Sequence, residues 1–166
     1  VLIVGIDPGI TGAIATLDHT GLLAVDDMPT MACGKGAGKR KRQVNAAGLS
    51  ALLKERVSGR SDEVLVVLER VASMPGQGVA GVFSLGDTFG CIRGVVAAEG
   101  YPLELVTPQA WKKRFGLNSD KEQARAKSIE LYPSAPLSRV KDHGRVEAIL
   151  IARYGWEVFG SLSKAA

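Results

Sequence analysis

Apolar residues fall first in short continuous runs broken by glycine and proline, and later in longer stretches with helical spacing. Val1–Asp7 (VLIVGID) is a β-branched run closed by Pro8-Gly9, which predicts a fully buried strand. GAIATLD and GLLAVDDM follow, separated by His19-Thr20-Gly21; three consecutive antiparallel strands are the simplest reading. Ala32–Gln43 has no apolar periodicity and is rich in Gly, Lys and Arg, so a mobile basic loop is expected at 32–43. Asn45 can cap a helix to about Val57, with Leu49, Leu52 and Leu53 at helical spacing. Val64–Glu69 (VLVVLE) reads as another buried strand, and the glycine-rich SMPGQGVAG leads into a helix to about Glu99. Leu103–Val106 is a fifth strand. Thr107-Pro108 caps and opens a helix over PQAWKKRF. Ser119 and Glu122 form a capping-box pattern for a helix to about Tyr132. Ala148–Val158 is apolar enough for a core helix.

This order predicts an α/β fold built on a mixed five-stranded sheet with helices on both faces. The strands at Val1–Asp7, Val64–Glu69 and Leu103–Val106 are expected to be parallel, joined by right-handed crossovers, with the first meander antiparallel. There is no internal repeat and no domain boundary, so residues 1–160 are read as one domain and 161–166 as a tail.

With 166 residues, a chain can bury ~70% of its unfolded surface without a staple. The composition, 46% apolar and 23% charged, is that of a globular protein. No apolar run is expected to approach the ~18–20 residues needed to cross a membrane, so neither a membrane span nor a membrane partner is expected. Cys33 and Cys91 are expected to be free thiols. The net charge of +4 is modest, but Lys35, Lys39, Arg40, Lys41 and Arg42 are clustered, an electrostatic footprint for a polyanion. The chain opens directly on a strand, so it is expected to carry no signal or transit peptide.

Two acids end buried strands: Asp7 and Glu69. If those strands are parallel neighbours, both carboxylates emerge at the carboxyl end of the sheet, where open α/β folds place their sites. Two more, Asp142 and Glu147, enter the last helix. Five residues apart on a regular helix they would lie roughly 140° apart, but an Asp142 at or before the cap can fold across the helix start and meet the pocket that Glu147 faces. Gly144 costs ~1 kcal/mol in a helix and offers close approach for a ligand. Four acids with no cysteine or multiple-histidine cluster indicate hard oxygen ligands, hence Mg²⁺ or Mn²⁺ rather than Zn²⁺. A pair of such ions serves in-line attack on a phosphodiester, and basic loops would supply counter-charge for nucleic acid. The pieces fit a nuclease.

GIDPGITGAIA, VVLERVASMPGQG, VTPQAWKKRFGL and KDHGRVEAILIARYG, in this order, resemble the RuvC family of Holliday-junction resolvases, of ribonuclease-H-like fold. The resemblance runs from Leu2 to about Phe159, and the last motif is most similar to the plastid branch, the monokaryotic-chloroplast resolvases of plants and green algae. It implies a homodimer that binds a four-way DNA junction and nicks two opposed strands symmetrically. It further implies Mg²⁺, two ions per site with Mn²⁺ as substitute, no nucleotide cofactor, a cytosine-dinucleotide preference and residence in the chloroplast nucleoid. By resemblance the catalytic and metal-binding residues are Asp7, Glu69, Asp142 and Glu147. Bacterial members space the last pair by three residues, against five here, and His143, four residues before Glu147 and on its face, is the rival ligand.

Lys112, Lys113, Lys121 and Arg125 have the character of phosphate-positioning residues. Lys141 and Arg145 beside the last acidic pair, and Lys39, Arg40, Lys41 and Arg42 in the basic loop, join them as DNA-binding candidates. Gly76, Gln77 and Gly78 allow close approach to a backbone or base, and Met74 could wedge at the branch point. Trp111 and Trp156 read as packing residues, and Phe83, Phe89, Val95 and Val96 as core or dimer interface. Competing readings are an actin-like kinase or ATPase suggested by GIDPGITGAIATL, a non-catalytic nucleic-acid-binding module, and an RNA-processing nuclease of the same fold.

Overall fold

The computed structural model describes residues 1–33, 41–60, 63–72 and 76–160. The expected meander is present: β1 (Leu2–Asp7), β2 (Ala13–Asp18) and β3 (Gly21–Asp27) pair antiparallel in sequence order. β6 (Val64–Glu69) joins β1 in parallel and β7 (Leu103–Val106) joins β6 in parallel, completing a mixed sheet of order β3-β2-β1-β6-β7. β1 and β6 lie centrally, which is why both read as near-continuous apolar runs: each is covered on both faces.

Two cores flank the sheet. On one face, α5 (His143–Phe159) lies along β1 and β2 with α3 (Pro108–Arg114) and α4 (Lys121–Leu131) around it, burying Ile3, Val67, Trp111, Ile149 and Ile151. On the other, α1 (Ala46–Val57) and α2 (Val79–Ala98) cover Val4, Ile6, Val66 and Leu68. Gly5 sets the depth of α5: a β-carbon there would overlap the Ala152 backbone. Helix and strand are thus in backbone contact, which brings the first turns of α5 to the end of β1.

Three local expectations are corrected. The loop expected at 32–43 is in part a hairpin: β4 (Thr30–Cys33) pairs antiparallel with β5 (Lys41–Val44), and 34–40 lie outside the described residues. Only Val44 of β5 is buried, so an exposed ribbon leaves no apolar alternation to read; its base is tied by the Arg42 guanidinium, which donates to the Thr30 hydroxyl and carbonyl. The cap of α4 is Asp120 rather than Ser119: its carboxylate accepts from the Glu122 N–H at 2.9 Å, while Asn118 accepts from the Asp120 N–H at 2.7 Å. And α2, although interrupted by Asp87 and Arg93, is long and apolar enough in composition to cross a membrane. In this fold its buried stripe, Thr88, Ile92 and Val96, packs into the second core. Cys33 and Cys91 are free thiols.

Candidate active site

The register of β1 on β6 ends at Ile6↔Leu68, so the next residues, Asp7 and Glu69, leave adjacent parallel strands side by side. The sheet then hands on to two helices. β6 is in register with β7 as Glu69↔Val106, and Thr107-Pro108 turns the chain into α3, with the Thr107 hydroxyl accepting from the Ala110 N–H. This returns Trp111 over the end of β6. From the opposite direction, α5 descends on β1 and delivers Glu147.

Asp7, Glu69 and Glu147 each offer a carboxylate oxygen within 4.8 Å of the others. Burial, followed by the Glu147 and Glu69 carboxylates, pushes Asp7 up to about 8, against the Gly9 N–H and the Lys121 ammonium. Burial also raises Glu69; the Trp111 N–H and Lys112 oppose this and Glu147 adds to it. Three converging carboxylates in a partly dehydrated corner are mutually destabilising until a cation joins them. Their donor set is oxygen only, which suits a hard divalent ion.

Trp111, read from the sequence as packing, is fully buried and donates its indole N–H to Glu69 Oε1 at 2.8 Å. The Lys112 ammonium lies 5.2 Å from its ring centroid. Lys112 and Lys121 therefore both act on the acidic trio, on Glu69 and Asp7 respectively.

Asp142 does not join the trio, which corrects the expectation that it meets the pocket that Glu147 faces. Its buried carboxylate turns back, accepting from the Arg139 N–H at 2.7 Å and Nε at 2.6 Å, with Arg145 Nε at 3.7 Å. It occupies the N-cap position of α5 without making a cap bond. Burial works against its charge, but the Arg139 bonds outweigh it and hold its pKa low. His143 opens α5 and also lies outside the trio. Gly144 serves a different approach from the one expected. A β-carbon there would lie 2.5 Å from the Thr11 carbonyl oxygen, 2.8 Å from Gly12 Cα and 3.0 Å from Asp7 Oδ2. The glycine seats α5 against the β1–β2 turn and the Asp7 carboxylate.

The remaining basic candidates divide. Arg125 is committed to the backbone, donating to the carbonyls of Leu137, Arg139 and Val140, and so braces the 137–140 loop instead of presenting a free cation. Arg145 donates to Asp27 at 2.6 Å and to the Pro136 carbonyl. Arg139, which sequence reasoning missed, links Asp27 to Asp142; no local pattern signals it, because Asp27 is 112 residues away. Lys113, Lys41, Arg42 and Lys141 are exposed, as are Gly76, Gln77 and Gly78. Arg42, Arg139 and Lys141 border a cavity of about 340 Å³ with Thr11, Gly12 and Asp27. Lys39, Arg40 and Met74 lie outside the described residues.

No protein-family model matches the sequence, and no curated protein matches it. Among solved structures, the chain is similar to Thermus thermophilus RuvC in complex with a Holliday junction substrate, with TM-score 0.62 and 13% identity, covering 95% of this chain and 96% of that one. A second T. thermophilus RuvC structure matches with TM-score 0.56 and 16% identity, over 95% and 96% of the two chains. The yeast mitochondrial Holliday junction resolvase Ydc2 gives 0.49 and 18%, over 98% and 82%. The two Thermus structures establish the fold: the mixed five-stranded sheet with its helices is ribonuclease-H-like, as expected.

Proposed function

We propose that the chain is a divalent-metal-dependent endodeoxyribonuclease that selects four-way DNA junctions and resolves them by symmetric paired nicks. The convergence of Asp7, Glu69 and Glu147 at the carboxyl end of the sheet carries this reading. These three would hold Mg²⁺, or Mn²⁺ in its place, two ions per site. When bound, such ions activate a water and stabilise the leaving oxygen in an in-line displacement at phosphorus. The chain's own contribution is placement. Asp7 and Glu69 are fixed by strand register, Glu147 by the seating of α5, and Lys112 and Lys121 beside them would position the scissile strand's phosphates.

A solved RuvC holds a Holliday junction, and the shared fold supports junction DNA as the substrate here. A second copy of the chain fits the need for two opposed nicks. On α2, Val79 and Phe83 are 88% and 75% exposed, and Gly86, Gly90 and Gly94 leave open space where side chains would stand. That apolar, small-residue face suits close pairing with its symmetry mate, giving a homodimer. The preference for cutting within a cytosine dinucleotide, and residence in the chloroplast nucleoid, are proposed from the sequence resemblance to the plastid branch.

The test is cleavage of a labelled immobile four-way junction against linear duplex and structured RNA, with Mg²⁺, Mn²⁺ or EDTA, using the wild-type chain and Asp7→Asn. Paired nicks in the junction only, lost with EDTA and with the substitution, are expected. Junction binding without cleavage under either metal would instead identify a binding module, and preferential cutting of RNA an RNA-processing nuclease.

A further inference from the structure

The Trp111 indole occupies a place that packing alone does not require. Its ring is wholly buried, yet its one polar atom faces Glu69 Oε1 at 2.8 Å. An indole N–H can only donate, and a buried donor deprived of its acceptor carries a desolvation cost. The pairing is therefore enforced from both sides. The buried N–H requires an acceptor, and the one it has is Glu69 Oε1, which is thereby directed toward the indole. Three features hold the indole rigid: the β6–β7 register opposite Glu69, the Thr107 cap with Pro108 opening α3, and the bond from Arg114 Nε to Glu157 of α5 at 2.7 Å. The Arg70 N–H donates to the Val106 carbonyl at 2.7 Å and continues the β6–β7 pairing one residue past Glu69.

From this geometry we infer that Trp111 is a positioning residue for the metal centre: it engages Oε1 of Glu69 and so presents Oε2 to the divalent cation. The inference rests on the reading of Asp7, Glu69 and Glu147 as the cation's ligands. Carboxylate ligands are characteristically oriented by such partners, whose loss weakens metal affinity by about 10–100-fold. A neutral donor suits this role better than a second cation would, because it orients the carboxylate without competing for its charge.

The test measures Mn²⁺ binding directly, by electron paramagnetic resonance of free Mn²⁺ in the absence of DNA, for wild type, Trp111→Phe and Trp156→Phe. The phenylalanine keeps most of the ring and removes the N–H. Weakening of the Mn²⁺ affinity by about tenfold or more in Trp111→Phe, with Trp156→Phe like wild type, is the expected result. Junction binding measured in EDTA should stay unchanged, a separation that loss of packing would not produce. Equal Mn²⁺ affinity in all three proteins would overturn the inference while leaving the metal reading intact. Absence of Mn²⁺ binding by wild type would overturn both. Should Trp111→Phe fail to fold, the wild-type indole ¹⁵N–¹H signal decides, assigned by its persistence in Trp156→Phe. A downfield position and slow solvent exchange, both reversed by Glu69→Ala, support the bond. A signal indifferent to Glu69→Ala overturns it.

Discussion

Gly144 and Asp7 meet across the start of α5: a β-carbon on the glycine would stand 3.0 Å from Asp7 Oδ2. A residue that weakens a helix therefore occupies a helical position where the candidate site has no room for a side chain. Gly144→Ala gains up to ~1 kcal/mol of helix propensity, but the new methyl group presses on the Thr11 carbonyl and Gly12 Cα, both backbone atoms. Overpacking of this kind costs about 1–3 kcal/mol. A net loss of stability is expected on thermal melting, with junction cleavage reduced more steeply than stability because α5 also carries Glu147. A stabilised, fully active variant would show that α5 can lift from the β1–β2 turn without cost.

The acidic trio predicts a pH dependence with a definite sign. Asp7 is raised to about 8 in the fold, against ~3.9 for a free aspartate. The folded state thus holds a proton that the unfolded chain gives up. The stabilising contribution is fully present below ~pH 4 and is lost as pH rises toward about 8. In EDTA, wild type should lose melting temperature across this window, and Asp7→Asn should lose less, the remainder coming from Glu69, which burial also raises. At pH 8 the variant should be the more stable by on the order of 1 kcal/mol or more, since one unit of pKa is worth ~1.4 kcal/mol, while lacking cleavage. Divalent cation should close the gap by stabilising wild type and releasing protons. Parallel pH profiles for the two proteins in EDTA would remove the repulsion argument.

Asp142 separates two roles that the sequence left joined. Its bonds to Arg139 and the Arg139 and Arg145 contacts with Asp27 tie the start of α5 to the end of β3. Asp142→Asn should cost about 1–3 kcal/mol, the scale of charge-assisted hydrogen bonds. Because the Asp142 pKa is held low, the contribution is present above ~pH 3.9 and falls away as the solution is acidified below it. Mn²⁺ affinity should remain near wild type in Asp142→Asn and be lost in Glu147→Gln. Equal loss in both would place Asp142 among the ligands.

What could be read from the residues follows the range of the interactions involved. β1 and β6 are legible because strands buried on both faces need unbroken apolar runs, and an acid at the end of each run stands out against that background. The pairing of Trp111 with Glu69 is not legible, since it depends on the β6–β7 register and on the turn at Thr107, neither of which marks the tryptophan itself. Asp142 misleads for a similar reason. Its local sequence is that of a helix cap, while its carboxylate is claimed by Arg139, whose guanidinium is held in turn by Asp27 on β3. The β4–β5 hairpin escapes notice because most of its side chains face solvent. Pattern reading detects burial, and this ribbon has little.

The exposed face of α2 yields the remaining prediction. Phe83 is 75% and Val79 88% exposed on a helix whose opposite stripe is buried in the core, so the helix is apolar on a side that the described fold leaves uncovered. A phenylalanine buried at the centre of a two-fold contact is of the kind that contributes ~2 kcal/mol or more to association. In the proposed homodimer, Phe83→Asp would place a charge against its own symmetry mate, which adds repulsion to the lost burial. The dimer constant measured by analytical ultracentrifugation should weaken by at least ~30-fold. The metal trio lies on other elements, so Mn²⁺ affinity should be unaffected. Cleavage should then change in kind: a monomer nicks one strand at a time, and on a supercoiled cruciform plasmid it yields nicked circles where the dimer yields linear product. A Phe83→Asp protein that remains dimeric and still linearises the plasmid would move the interface off α2.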